Sequence, residues 1–155
     1  MASASLLTRS VVVLSGPNLK LMGTRQPEID GSETHGDIEA GVRARAGELG
    51  IDIVCRQSNH EGELVTWIQE GRGAVAGAVI NPAAYTHTSV AIMDSILACD
   101  YPVIEVHIGN VFQREAFRHH SYVSLAAKGM ICGLGGHGYV LALEALDTLT
   151  AGAEL

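Results

Sequence analysis

Five short runs that are apolar at consecutive positions, each followed by a longer segment, limit what this chain can fold into more than any other feature. The runs are residues 11–14 (VVVL), 51–55 (IDIVC), 76–80 (AGAVI), 102–106 (PVIEV) and 129–132 (GMIC). A strand that is apolar at nearly every position needs cover on both faces, which is the situation of a strand inside a parallel sheet. The segments between them read as helices at about residues 34–49, 62–71 and 89–97, with a shorter basic one near 114–120. A last helix, residues 139–149, carries Val140, Leu143 and Leu146 at helical spacing. Strand and helix alternating in this way predict an α/β fold: a doubly wound sandwich on a five-stranded parallel sheet, in flavodoxin-like strand order.

The chain has 155 residues, 47% of them hydrophobic, so one domain can bury a core without disulfides or a structural metal. Residues 1–10 read as a short extension and 11–155 as that single domain. Cys55, Cys99 and Cys132 lie in or beside apolar runs and show no C-x-x-C spacing. They are expected to behave as small buried hydrophobes in a reducing, cytoplasmic setting. Seventeen Asp+Glu against ten Lys+Arg leave a net charge of -7, which argues against a nucleic-acid partner. No apolar stretch approaches the roughly 18 residues of a membrane span. The opening MASASLLTRS lacks the basic and apolar regions of a secretory signal.

In an open α/β sheet, ligands bind outside the carboxyl ends of the strands. After the first strand come Ser15, Gly16, Pro17 and Asn18, then Lys20 and a loop holding Arg25, Gln26, Glu28 and Asp30. After the third come Asn81 and Pro82, then Tyr85, Thr86, His87, Thr88 and Ser89. After the fourth come His107, Ile108, Gly109 and Asn110, with Arg114 and Arg118 close behind. Arginines for charge, amides for oxygens and histidines for proton transfer suit a small, anionic, polyhydroxylated ligand. Each also has a plainer reading. Asn18 and Asn81 fit turn caps as well as ligand contacts, and Thr88 or Ser89 fits the N-cap of the next helix. His107 stands apart because it follows a carboxylate, Glu105, at the mouth of the fourth strand, and His87 faces the same crevice. His35, His60, His119, His120 and His137 read as surface or packing residues. No His or Cys pair shows metal-ligand spacing.

Residues 133–138 (GLGGHG) match G-x-G-x-x-G between a strand and a helix. A dinucleotide site would need a second strand ending in an acidic residue about 20 positions on. The chain ends before that, so the glycines read as a tight turn with close packing. With only Lys20 and Lys128, neither in apolar surroundings, carbonyl chemistry here should be general acid–base rather than Schiff-base.

Four segments, SGPNLKLMGTRQPEIDG, INPAAYTHTSVAIMDSI, IEVHIGNVFQREAFRHHSYVS and GLGGHGYVLALEAL, together resemble the type II dehydroquinases (3-dehydroquinate dehydratases) in the right order from about residue 11 to 146. The resemblance implies a flavodoxin-like fold and a dodecamer built from trimers. It implies trans-elimination of water from 3-dehydroquinate to give 3-dehydroshikimate, a step of the shikimate pathway, with no cofactor, metal or Schiff base. By the same resemblance Asn18 would order the water that stabilises an enolate, and Arg25 would be the essential arginine of a lid. Asn81 and the backbone N–H groups of Ile108 and Gly109 would take the substrate carboxylate. His87 and Arg118 would hold ring hydroxyls, His107 would be the general acid, and Glu105 would orient its imidazole. Asp94 would reach a neighbouring subunit's site.

The chain departs from the family pattern at four places, one of them Lys20, which replaces a usually uncharged residue in the first motif. The lid pattern R-x-P-x-x-Y-G reads Arg25-Gln26-Pro27-Glu28-Ile29-Asp30-Gly31 here, so Asp30 stands where the family has its tyrosine base. A carboxylate, with a reference pKa near 3.9 against about 10 for tyrosine, is a far weaker base. The opening N-G-P-N has become Ser15-Gly16-Pro17-Asn18, and a serine has become Gly109. Three readings follow from the sequence. The first is a dehydroquinase in which Asp30, or a water it activates, is the base. The second is a related dehydratase or cyclase for another carbonyl compound, and the third is a non-catalytic binding or scaffold homologue.

Overall fold

The computed structural model describes residues 9–24, 28 and 31–151. Its sheet is formed by β1 (Arg9–Ser15), β2 (Ile51–Gln57), β3 (Gly77–Asn81), β4 (Val103–His107) and β5 (Gly129–Cys132). All pairings are parallel and the order is β2-β1-β3-β4-β5. That is the flavodoxin-like order expected from the apolar runs, with its reversal between β1 and β3. The helices are α1 (His35–Leu49), α2 (Glu61–Glu70), α3 (Val90–Leu97) and α4 (His137–Thr150).

Strand alternation divides the apolar residues between two cores. Val11, Val13, Val79, Ile104 and Val106 pack with Ile38, Val42 and Ala46 of α1 and with Tyr139, Ala142, Leu143 and Leu146 of α4. Val12, Leu14, Ala78, Ile80 and Val103 pack with Leu64 and Ile68 of α2 and with Ile92 and Ile96 of α3. Each fully buried Leu, Ile or Val in these layers contributes on the order of 1.5–3 kcal/mol. β2 differs from its sisters. Beyond Ile51 it alternates between exposed and half-buried residues, because it is an edge strand carrying Asp52, Arg56 and Gln57.

Local signals set the helix starts. Thr34 and Asp37 form a reciprocal capping box before α1, at 3.0 and 3.1 Å. Ser89 caps α3, accepting from the Ile92 amide at 2.9 Å. The basic helix expected at 114–120 does not form. Asn110 Oδ1 accepts from the Phe112 amide and starts a 3-10 turn at Val111–Gln113. Arg114 is then extended, and a second turn follows at Ala116–Arg118. Backbone bonds there span three residues, not four, so no α-helix propagates.

The glycine-rich turn before α4 serves packing, as expected. Glu33 Oε2 accepts the Gly136 amide at 3.1 Å, and a Cβ on Gly136 would stand 2.4 Å from that oxygen. The helix N-terminus that would attract a pyrophosphate already carries an internal carboxylate.

Candidate active site

β1, β3 and β4 end at one edge of the sheet, and the loops that leave them enclose a cleft of about 150 Å³. The two inner loops touch. Gly16 donates its amide to the Asn81 carbonyl at 2.8 Å, and a Cβ at residue 16 would lie 2.6 Å from the Pro82 carbonyl oxygen. Glycine is therefore required there for the close approach. Asn18 (φ 68°) and Ala83 (φ 52°) are the non-glycine residues with positive φ among the described residues, and both line the cleft. A left-handed alanine costs about 1–2 kcal/mol and persists only where its surroundings hold it. Ala83 is held by its amide, which donates to Asn81 Oδ1 at 3.0 Å.

The fourth strand supplies a histidine–carboxylate pair. Glu105 and His107 project from the same face of β4, and Nε2 of His107 meets Oε2 of Glu105 at 2.5 Å. Glu105 is fully buried and accepts three further bonds: from Thr86 at 2.7 Å, from Ser121 at 3.0 Å and from Ser124 at 2.5 Å. Burial pushes its carboxyl up, but the His107 bond and charge, with the Ser124 and Thr86 hydroxyls, outweigh that and hold it below the usual carboxylate range. An ionised Glu105 keeps the proton on Nε2 of His107, which leaves Nδ1 as the nitrogen available to a ligand.

His87 stands beside this pair, its ring 6.5 Å from that of His107 and 19° from parallel. Its Nδ1 lies 2.7 Å from the His120 carbonyl, which can only accept, so Nδ1 carries the proton and Nε2 the lone pair. Burial lowers the His87 pKa, and the neighbouring His107 and Arg118 lower it further against the His120 carbonyl, so the ring is neutral near pH 7. Arg118 lines the cleft with its Nε 2.6 Å from Glu115 Oε2.

Of the residues singled out in the sequence, Asn18, Asn81, His87, His107, Ile108, Gly109 and Arg118 line this cleft, and Glu105 lies directly behind His107. Arg25 and Asp30 lie outside the described residues. Asp94 is exposed on α3 and does not line the cleft. Ser15 is 1% exposed and is not part of the lining either, so that departure from the family pattern sits behind the wall. Gly109 remains a departure within it. Arg114, named in the sequence without a role, lines the cleft as well. Thr86, Ser121 and Ser124 are partners of Glu105 that the sequence pattern does not single out. Thr86 adjoins His87, but nothing local in Ser121 or Ser124 marks them as belonging to a site. Tyr85, Tyr101, Tyr122 and Tyr139 do not line the cleft.

Fold and site together define a flavodoxin-like α/β protein with a histidine, backed by a buried carboxylate, at the carboxyl ends of its strands. The chain belongs to the class II dehydroquinase family, whose model matches residues 9–147. It is 57% identical over 138 residues to 3-dehydroquinate dehydratase 2 of Pseudomonas aeruginosa, covering 89% of this chain and 93% of that one. It is 54% identical over 148 residues to 3-dehydroquinate dehydratase of Brucella canis, covering 96% and 94%. The crystal structure of type II dehydroquinase from Propionibacterium acnes superposes with a TM-score of 0.87 at 44% identity, over 90% of this chain and 97% of that one.

Proposed function

We propose that this chain is a hydro-lyase that dehydrates 3-dehydroquinate to 3-dehydroshikimate. The observation that carries the reading is the buried Glu105–His107 pair at the wall of a cleft rich in amides and cations. In the elimination, a base takes a proton from the carbon beside the ketone, and the electron pair moves onto the ketone oxygen as an enolate. The enolate re-forms the ketone as the carbon–carbon double bond appears and the hydroxyl leaves with a proton. His107, protonated on both nitrogens, delivers its Nδ1 proton to that hydroxyl, so water departs while Nε2–H stays on Glu105. General acid–base catalysis of this kind is worth on the order of 10²–10⁴-fold.

The remaining roles follow the family pattern. Asn18 orders the water on the enolate oxygen. Asn81 and the Ile108 and Gly109 amides hold the carboxylate, and His87 and Arg118 hold ring hydroxyls. His87 fits that part, since a lone pair on Nε2 accepts from a hydroxyl. Arg25 closes on the substrate as part of the lid, and Asp30, or a water it activates, is the base. Asp94 completes a neighbouring subunit's site in a trimer, four trimers form a dodecamer, and the enzyme works in the cytoplasm. Among the described residues no helix is long and apolar enough to cross a membrane.

Turnover of 3-dehydroquinate, followed as enone absorbance for the wild type and Asp30→Tyr, tests this reading. Both should be active, with Asp30→Tyr the faster, because a tyrosinate is the stronger base. Silence in both would rule out this substrate.

A further inference from the structure

β2 ends beside β1, with Gln57 as the register partner of Ser15, and the Ser58 amide donates to the Ser15 carbonyl at 3.0 Å. Residues 58–60 then turn into α2. Ser58 Oγ shapes the bend, accepting the His60 amide at 2.9 Å and donating to Glu63 Oε1 at 3.0 Å. Asn59 sits on that bend and reaches in two directions. Its Oδ1 accepts the Asn18 N–H at 3.0 Å and Gln57 Nε2 at 3.2 Å. Gln57 Nε2 also donates to the Gly16 carbonyl at 3.0 Å. A carbonyl only accepts and a backbone N–H only donates, so both side-chain amides have their orientation fixed. The Asn59 carbonyl accepts from the Tyr85 hydroxyl at 2.7 Å, in the 3-10 turn Ala83–His87 that follows β3. One residue, itself outside the cleft lining, thus joins the loops that leave β1, β2 and β3.

Asn18 is the member of this network that faces the cleft. It holds φ 68° and ψ -7° at the start of the 3-10 turn Leu19–Leu21, and its side chain lines the cleft without capping that turn. In the left-handed region a Cβ crowds the following carbonyl, which asparagine tolerates better than most residues but not freely. Return to the ordinary helical region would turn φ by about 130° and re-aim the Cα–Cβ bond, and the carboxamide with it. Two contacts oppose that turn. The Leu21 amide holds the Asn18 carbonyl at 2.9 Å, and Asn59 Oδ1 holds the Asn18 N–H. Without Asn59 the N–H would have no protein acceptor among the described residues, and one end of the peptide would be released.

We infer that Asn59 is a positioning residue, whose side-chain oxygen, set by Gln57, clamps the Asn18 N–H and keeps the Asn18 carboxamide aimed into the cleft. The task that the carboxamide performs there, ordering water on an enolate, rests on the proposed function; the clamp does not.

The test compares Asn59→Ala with Asn59→Asp in turnover of 3-dehydroquinate, repeats Asn59→Ala in an Asn18→Ala background, and adds a crystal structure of Asn59→Ala. Loss of the clamp should lower kcat about 3- to 10-fold in Asn59→Ala, the equivalent of about 1 kcal/mol, with KM changed less than about twofold. Both partners of Oδ1 are donors, so a carboxylate accepts from them equally, and Asn59→Asp should keep kcat within about twofold of the wild type. In the Asn18→Ala background Asn59→Ala should cost nothing further, because the group it acts through is gone. The crystal structure should show Asn18 at negative φ or in more than one conformation. An unchanged kcat in Asn59→Ala overturns the inference, as does Asn59→Asp as slow as Asn59→Ala, or an equal loss in both backgrounds. A single left-handed Asn18 in the variant structure overturns it whatever the kinetics. Asn59 is exposed, so its replacement leaves the two cores intact. If Asn59→Ala nonetheless fails to fold, Gln57→Leu, which removes the donor that sets Asn59, takes its place with a smaller effect. If the wild type does not turn over 3-dehydroquinate, the proposed function falls, and the conformation of Asn18 in the variant structure still decides the inference.

Discussion

Glu105 has no solvent to fall back on. Its two oxygens accept from His107, Thr86, Ser121 and Ser124 in a fully buried position. A neutral amide cannot serve there in the same way: in Glu105→Gln the NH2 faces donors, and His107 loses the charge that keeps its proton on Nε2. The expected result is a fall in kcat of about 10²-fold or more with the far-UV circular dichroism of the wild type. Retained turnover would show that His107 needs no carboxylate behind it. The pairing was legible in the sequence because residues two apart on a strand share a face. The hydroxyls were not: Ser121 and Ser124 lie 16 and 19 positions from Glu105 and are brought to it by the 3-10 turns that follow β4. The hydroxyl contact of Tyr139 with Ser15 is illegible in the sequence for a similar reason. On a helix of apolar residues it counts as one more hydrophobe, and only the register of β1 against β3 shows what its hydroxyl meets.

At the scale of elements, the strands were legible because continuous apolar runs have few alternatives, and α1 and α3 because Thr34 and Ser89 mark their starts. The stretch after His107 does not form the helix its composition predicts. Its basic residues suit a helix, yet the Asx turn at Asn110 and the extended Arg114 break it into separate turns. Those turns carry Arg114 and Arg118 to the rim of the cleft. The crossing of the β1 and β3 loops is equally specific. Gly16→Ala forces the new Cβ into the Pro82 carbonyl. A shift there should destabilise by about 1–3 kcal/mol and raise KM, since Asn81 hangs on the same contact. Thermal unfolding and steady-state kinetics measure both, and an unchanged melting temperature would mean the loops separate at no cost.

For the whole molecule, the two groups with resolved shifts at the heart of the site titrate in the same sense. His87 and Glu105 both have folded pKa values below their ordinary 6.5 and 4.5. For each, the unfolded chain binds the proton more readily, so stability rises with pH and is lost as pH falls. His87 contributes a decline that begins below about pH 6.5, and Glu105 adds another below about pH 4.5. Urea denaturation between about pH 8 and pH 4 should therefore show midpoints that fall on acidification in two steps. His87→Phe should lack the upper step. A wild type as stable at pH 5 as at pH 8 would mean that His87 charges without resistance in the folded state.

His107 and Glu105 sit two residues apart on a buried strand of five residues, β4. Their separation is set by the pleat of the backbone, not by the meeting of two loops, so loop exchange, insertion or drift around the rim cannot pull them apart. Rim residues such as Gly109 can be exchanged in such a fold while the histidine and its carboxylate stay one indivisible piece. Retuning such a scaffold for a new substrate is thus a matter of redesigning the rim alone.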